Sequence, residues 1–257
     1  NSVPLARKKE SPFQTVFKIF LAIVIIVTVV YYIIYFFNRL PHITYTAFGI
    51  EMPTNYEIHG IDVSRYQQLI NWADVKDMEV QNIKIGFAFI KATEGVDKVD
   101  AQFERNWLHA EEENITKGAY HYFVASKSGI AQANNFIEIV KLKPGDLPPV
   151  LDVEDDNGSV PDVQQKIKDW LQKVEKQYNV KPIIYTNIFF YNTYLKGVFD
   201  DYPFWIAHYQ QPAKPGIDRA WTFWQHSESG HVNGIKTTVD FNVFSGDSTA
   251  FKDLLIR

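Results

Sequence analysis

The stretch Pro148-Pro-Val-Leu-Asp-Val-Glu-Asp-Asp156 sets two carboxylates into the middle of an apolar run. Read as a strand, it projects Leu151 and Val153 to one face and Asp152 and Glu154 to the other. Acids two residues apart lie about 6–7 Å from each other along a strand, repel one another and resist burial. Two readings compete. Either the strand ends here and the acids are solvated loop residues, or the chain delivers them together to one place.

Outward from Val150, short apolar runs alternate with helical patterns. GIDVS (60–64), IKIGFAFIKATEG (83–95), GAYHYFVA (118–125), LPPVLDVED (147–155), PIIYTN (182–187), FWIAHY (204–209), WTFWQH (221–226) and TTVDFNVF (237–244) read as strands. Between them lie a short segment, Leu69 to Met78, and a helix near 100–113 with Phe103, Trp107 and Leu108 as its apolar stripe. A third pattern carries Ile130, Ala133, Phe136, Ile137 and Val140, and a fourth Val163, Ile167, Trp170, Leu171 and Val174. Ser159, Pro161 and Asp162 mark the start of the fourth. Little helix joins the last three strands. The alternation predicts an α/β fold: a modified TIM-like β/α barrel with fewer helices in its C-terminal part.

Parity along these strands weighs against simple solvation. Asp62 opposes Ile61 and Val63, and Asp152 and Glu154 oppose Leu151 and Val153. Asp240 and Asn242 oppose Val239, Phe241 and Val243. Outward apolar residues would pack on helices while the acids point into the barrel mouth. Each acid is expected late in its strand, at the C-terminal face where barrel enzymes keep their chemistry. Clustered carboxylates serve metal binding or proton transfer. A metal would ask for histidines converging with the acids, but His59, His121, His208 and His226 form no ligand-spaced pair, so no metal is expected. Proton transfer needs one carboxyl held protonated beside an ionised one, which crowding achieves, and glycoside hydrolysis uses that arrangement. Tyr66, Tyr120, Tyr122, Tyr185, Trp205, Tyr209 and Trp224 near strand ends offer faces for sugar rings, although aromatics are also ordinary core residues.

The first 57 residues differ in kind. Ile19 to Phe37 is nineteen residues without a charge, long enough as a helix to span a bilayer core. The basic run Arg7-Lys8-Lys9 precedes it and a lone Arg39 follows. A cytoplasmic basic tail (1–18), a transmembrane helix (19–37), a tether (38–57) and a catalytic barrel (58–257) are therefore expected. The N-terminus would lie inside the cytoplasmic (inner) membrane and the barrel outside it. A cleaved signal peptide is the competing reading, but its apolar region is normally shorter. Residues 1–53 carry five basic and two acidic side chains, leaving 21 basic and 28 acidic after them. That acidic balance argues against a nucleic-acid partner. With no cysteine, disulfides and thiolate metal sites are excluded.

GIDVSRYQ (60–67), FAFIKATEG (87–95), GAYHYF (118–123), PVLDVED (149–155), PIIYTN (182–187), WIAHY (205–209) and WQHSESGHVNGIKTTVDFNVF (224–244) together resemble glycoside hydrolase family 25, the Chalaropsis-type lysozymes or N-acetylmuramidases. The resemblance covers about 58–255 and implies cleavage of the β-1,4 bond between N-acetylmuramic acid and N-acetylglucosamine in peptidoglycan glycan strands, with no cofactor. It implies Glu154 as general acid, Asp152 orienting the substrate acetamido group, and Asp62 and Asp240 as electrostatic partners. Glu94, Tyr122, Tyr185 and Trp205 match positions near the sugar; Tyr120, Gln225 and Asn242 complete the candidate binding set. Tyr66 stands where many members have tryptophan. A chitinase-like hydrolase of another acetamido sugar and a non-catalytic wall-binding module remain the alternatives.

Overall fold

The computed structural model describes residues 11–38 and 43–257, which fall into two units, Asn1–Pro41 and His42–Arg257. The basic run at 7–9 and Arg39 lie outside the described residues. In the first unit a single helix, α1 (Pro12–Asn38), contains the expected span and starts seven residues before it. Its early start has a local cause. Ser11 accepts from the Gln14 backbone N–H (3.3 Å), and the Gln14 side chain accepts from the Ser11 N–H (3.1 Å). That is a reciprocal capping box with Pro12 in the first turn. Side chains from Ser11 to Tyr35 are exposed on every face. At about 1.5 Å per residue the helix is long enough to cross about 30 Å of hydrocarbon.

The second unit begins earlier than its sequence suggests, which corrects the tether expected over 38–57. Strands β1 (Ile43–Tyr45) and β2 (Ile50–Met52) form an antiparallel hairpin. Gly49, at φ +69°, closes its turn in a conformation that L side chains rarely adopt. The Phe48 ring is wholly buried with its centroid 5.2 Å from that of Phe241, and the Phe48 carbonyl accepts from the His231 N–H. Four apolar side chains, Tyr45, Phe48, Ile50 and Met52, bury this hairpin in the core.

The barrel follows in chain order: β3 (His59–Val63), β4 (Glu79–Val80), β5 (Ile83–Glu94), β6 (Lys98–Val99), β7 (Thr116–Tyr122), β8 (Val150–Asp152), β9 (Ile183–Asn187), β10 (Phe204–Ala207), β11 (Phe223–Gly230) and β12 (Val239–Phe244). The two-residue strands β4 and β6 hang on β5; the other eight close the barrel through a β3–β5 pairing. Neighbours from β3 round to β11 are parallel, while β12 is antiparallel to both β11 and β3. Only eight residues separate β11 from β12, too few for the crossover that a parallel pair needs. Helices α2 (Trp72–Asp77), α3 (Phe103–Glu112), α4 (Gly129–Ile139) and α5 (Val160–Tyr178) connect the first strands. After the short α6 (Ile188–Phe190) and a π turn at Tyr191–Leu195, no α-helix appears among the described residues until α7 (Ser248–Leu254). The closed eight-stranded barrel is thus as expected, but strands dominate it and its last strand is reversed, unlike a regular TIM barrel.

Strand parity sorts the core into two layers. Ile61, Ile90, Leu151, Val153, Ile184 and Ile206 face outward onto the helices, with Val163, Ile167, Trp170 and Leu171 of α5 in the same cluster. Phe87, Phe89, Val150, Ile183, Trp205, Phe223 and Phe244 face inward, with Phe251 of α7 joining them. Two glycines make room for these rings: a Cβ on Gly60 would sit 2.5 Å from the Phe87 ring, and one on Gly118 2.7 Å from Phe89. Burying each such ring stabilises the fold by about 1.5–3 kcal/mol. The aromatic plug fills the lower barrel, and the polar side chains gather above it, toward the mouth.

Candidate active site

At that mouth a cavity of about 240 Å³ is lined by Asp62, Asp152, Glu154 and Asp240. Tyr66, Tyr120, Tyr122, Tyr185 and Trp205 form its aromatic walls. Asp62 and Asp152 arrive near the ends of parallel strands, and Glu154 follows two residues beyond Asp152. Asp240 corrects the expectation that every acid lies late in its strand. It is the second residue of the reversed β12 and reaches the rim from the other direction, opposite Asp62 in the register.

A buried amide network holds two of the acids. The Asn242 Nδ2 (2.7 Å) and Gln225 Nε2 (2.9 Å) both donate to Asp62 Oδ2. Gln225 Nε2 also reaches Asp240 Oδ2 at 3.4 Å, and its Oε1 accepts from the Tyr185 and Tyr209 hydroxyls at 2.9 and 2.7 Å. Trp205 Nε1 fixes Asn242 by donating to Oδ1 at 2.7 Å. Gln225 and Asn242 therefore lie beneath the cavity and orient its acids instead of lining it. Burial pushes the Asp240 carboxyl up to about 9, with the Asp62 charge adding to the effect. Burial also raises Asp62, although the Asn242 and Gln225 amides and the proton on Asp240 oppose it. Buried side by side at one rim, the two carboxyls are both raised and resist ionising together.

Asp152 and Glu154 differ from each other. Asp152 is held well above the usual carboxylate range, first by burial and then by the Glu154 charge, and its buried Oδ1 has no hydrogen-bond partner among the described residues. Glu154 is raised by burial and by Asp62, while Asn187 Nδ2, 3.3 Å from Oε1, works the other way.

Residues 61–235 match the family described as Glycosyl hydrolases family 25. The chain belongs to glycosyl hydrolases family 25. The uncharacterized protein YegX of Escherichia coli K12 is 48% identical over 201 residues, 78% of this chain and 74% of that one. Lysozyme M1 of Streptomyces globisporus is 34% identical over 207 residues, 74% of this chain and 69% of its own. A family 25 glycosyl hydrolase structure from Bacillus anthracis superposes with a TM-score of 0.71 at 33% identity, covering 79% of this chain and 95% of that one. This family 25 chain is thus a glycoside hydrolase of the lysozyme type.

Within the family 25 barrel not every candidate reaches the cavity. Glu94 stands at the rim, bridged by Lys91 and Lys98 at 2.8 Å each. Partial burial opposes ionisation there, but the two lysines hold the carboxyl down to about 2. Strict alternation from Phe87 and Phe89 would turn Glu94 outward. A bulge between Lys91 and Thr93 resets the register, so Glu94 pairs with Tyr122 while Thr93 faces His121. Trp224 leaves the candidate set: its ring points outward onto Tyr56 and Trp221. His121 is stacked on Trp170 and kept neutral by burial, its value lowered to about 3, and His59 is lowered to about 4 at the far end of β3. Among the described residues no set of three or more histidine, aspartate or glutamate side chains is arranged to hold a metal ion.

Four polar residues escaped the sequence reading: Ser64 and Gln67, which line the cavity just beyond β3, and two on strands of the barrel wall. Lys91 lines the cavity with its Nζ 4.7 Å above the Tyr122 ring, and Asn187 contacts Glu154. Both share the parity of inward neighbours, Phe89 for Lys91 and Tyr185 for Asn187, and that signal could have found them.

The raised carboxyls carry a cost that can be measured. Asp240 keeps its proton in the folded state up to about 9, whereas an unfolded aspartate releases it near about 4. The native state binds the extra proton between those limits, so stability falls as pH rises through that window. Thermal unfolding should occur at lower temperature at pH 9 than at pH 7, and Asp240→Asn should shrink the difference. Equal slopes for both proteins would contradict the shift.

Proposed function

We propose that this chain cleaves the β-1,4 bond between N-acetylmuramic acid and N-acetylglucosamine in peptidoglycan, with Glu154 as general acid. The observation that carries the reading is four carboxyls around one cavity, with the Glu154 carboxyl raised by burial and by Asp62. A raised carboxyl can still hold the proton that the leaving oxygen needs near neutral pH. Lysozyme M1 and the structure of a bacterial lysozyme from Streptomyces coelicolor, 33% identical with a TM-score of 0.69, support the substrate class.

Asp152 takes a different role. Its buried, unpartnered Oδ1 suits an acceptor awaiting a donor, such as the N–H of the substrate acetamido group. Held by that contact, the acetamido oxygen attacks the anomeric carbon as Glu154 protonates the departing oxygen. The negative field of the carboxyls that remain ionised around the cavity stabilises the oxocarbenium-like transition state. Glu154, now a carboxylate, takes a proton from the water that opens the cyclic intermediate, giving retention of configuration. Mass spectrometry of fragments released from purified sacculi tests the bond. Reducing-end N-acetylmuramic acid is expected; reducing-end N-acetylglucosamine would overturn it.

We further propose that α1 anchors the enzyme in the cytoplasmic membrane, N-terminus inside and barrel outside. Its length, its apolar composition and its exposure on every face support this reading, together with the basic run at 7–9. Alkaline carbonate should leave the full chain with the membrane pellet; release into the supernatant contradicts the anchor.

A further inference from the structure

Asn187 closes β9 and opens α6 with one side chain facing two ways. Its Oδ1 accepts from the Phe190 backbone N–H at 2.9 Å, which caps the helical turn. With the oxygen committed to that bond, the other end of the amide can present only N–H groups, and Nδ2 lies 3.3 Å from Glu154 Oε1. A short helical turn therefore decides which end of the amide meets the acid. We propose that Asn187 is a positioning residue for the general acid: the cap locks its amide so that Nδ2 faces Glu154 Oε1 and steers it. This deepens the muramidase reading and rests on Glu154 being the acid.

The other charged or titratable groups around Glu154 come from several elements. Asp152 is on its own strand, with Asp62 on β3 and Asp240 on β12. Tyr122 on β7, Tyr185 on β9 and Tyr209 beyond β10 sense the Glu154 charge. Lys91 of β5 lines the same cavity. Burial and Asp62 push the Glu154 carboxyl up, and the Asn187 amide is the hydrogen bond set against them. The amide prefers an ionised partner, so it keeps the raised acid from becoming too reluctant a donor.

Two variants separate this role from helix capping. Ser and Asp cap helices as well as Asn does. Asn187→Ser keeps the cap and removes the amide; Asn187→Asp keeps the cap and turns a negative oxygen on Glu154. The kcat/KM–pH profile of the full chain in detergent, measured on solubilised peptidoglycan, reports on the acid through its alkaline limb. Removing the donor should move that limb up by about one pH unit in the Ser variant, and the opposed charge by about two in the Asp variant. Melting temperatures should stay near wild type. Carboxyl 13C titration of Glu154 in the same proteins should show the same order without turnover. Limbs and titrations coinciding with wild type, or moving down in pH, would overturn the positioning role. Glu154→Gln measured alongside keeps the two claims apart. If it is active the general-acid reading has failed, and if it is inactive while the Asn187 variants titrate like wild type only the positioning role has.

Discussion

Glu154→Gln should reduce kcat on peptidoglycan by about a thousandfold while leaving the barrel folded. General acid catalysis contributes roughly 10²–10⁴, and the amide keeps the size of the carboxyl but has no proton of comparable acidity to donate. Little structure depends on the carboxylate. Among the described residues its one hydrogen bond is the 3.3 Å contact from Asn187, and a glutamine oxygen can accept it equally well. The substitution also removes a carboxyl that burial disfavours in its charged form. Activity measured as reducing ends released from sacculi, with circular dichroism alongside, checks both halves. Wild-type release by a folded variant removes Glu154 from the chemistry.

Asp152→Asn should separate activity from stability even more sharply. An amide can still contact the acetamido group, but it cannot ionise when the substrate N–H reaches the unpartnered Oδ1, and so cannot support the developing positive charge on that nitrogen. Loss of one such preorganised electrostatic contact costs on the order of 10²–10³ in kcat. The folded state should tolerate the change or gain from it, because Asp152 is buried against Glu154 with one oxygen unpartnered. Folding raises the Asp152 carboxyl well above its unfolded value, so native stability falls as pH rises past that unfolded value, and the neutral amide removes the penalty. A variant slower by two orders of magnitude and melting at or above the wild-type temperature is expected. A large fall in melting temperature would mean that Asp152 is a structural residue.

Much of this was legible in the sequence because strand parity carries chemical information. Leu151 and Val153 against Asp152 and Glu154 is a two-sided strand, and Asp62 repeats the pattern on β3. Eight strand-like runs gave the barrel, and the sparse helix after 195 gave its irregular half. What parity could not supply was direction. Asp240 obeys the alternation, but only the short link between β11 and β12 reveals that its strand runs backwards. The bulge at Lys91–Thr93 is invisible for a similar reason, since an inserted residue changes parity without changing composition. Gln225 and Asn242 showed their types but not their depth: they lie below the acids and hold them. The hairpin at 43–52 looked like tether because its few apolar residues bury themselves only through contacts distant in sequence, Phe48 on Phe241 above all.

The barrel mouth is a place where burial and like charge withhold ionisation from a carboxyl that must donate a proton. Carboxyl 13C titration of Glu154 in the folded protein, assigned by its loss in Glu154→Gln, measures this without substrate. A midpoint above that of an ordinary glutamate is the expected result. A midpoint at or below the ordinary value would contradict the acid's role and the electrostatic design built around it.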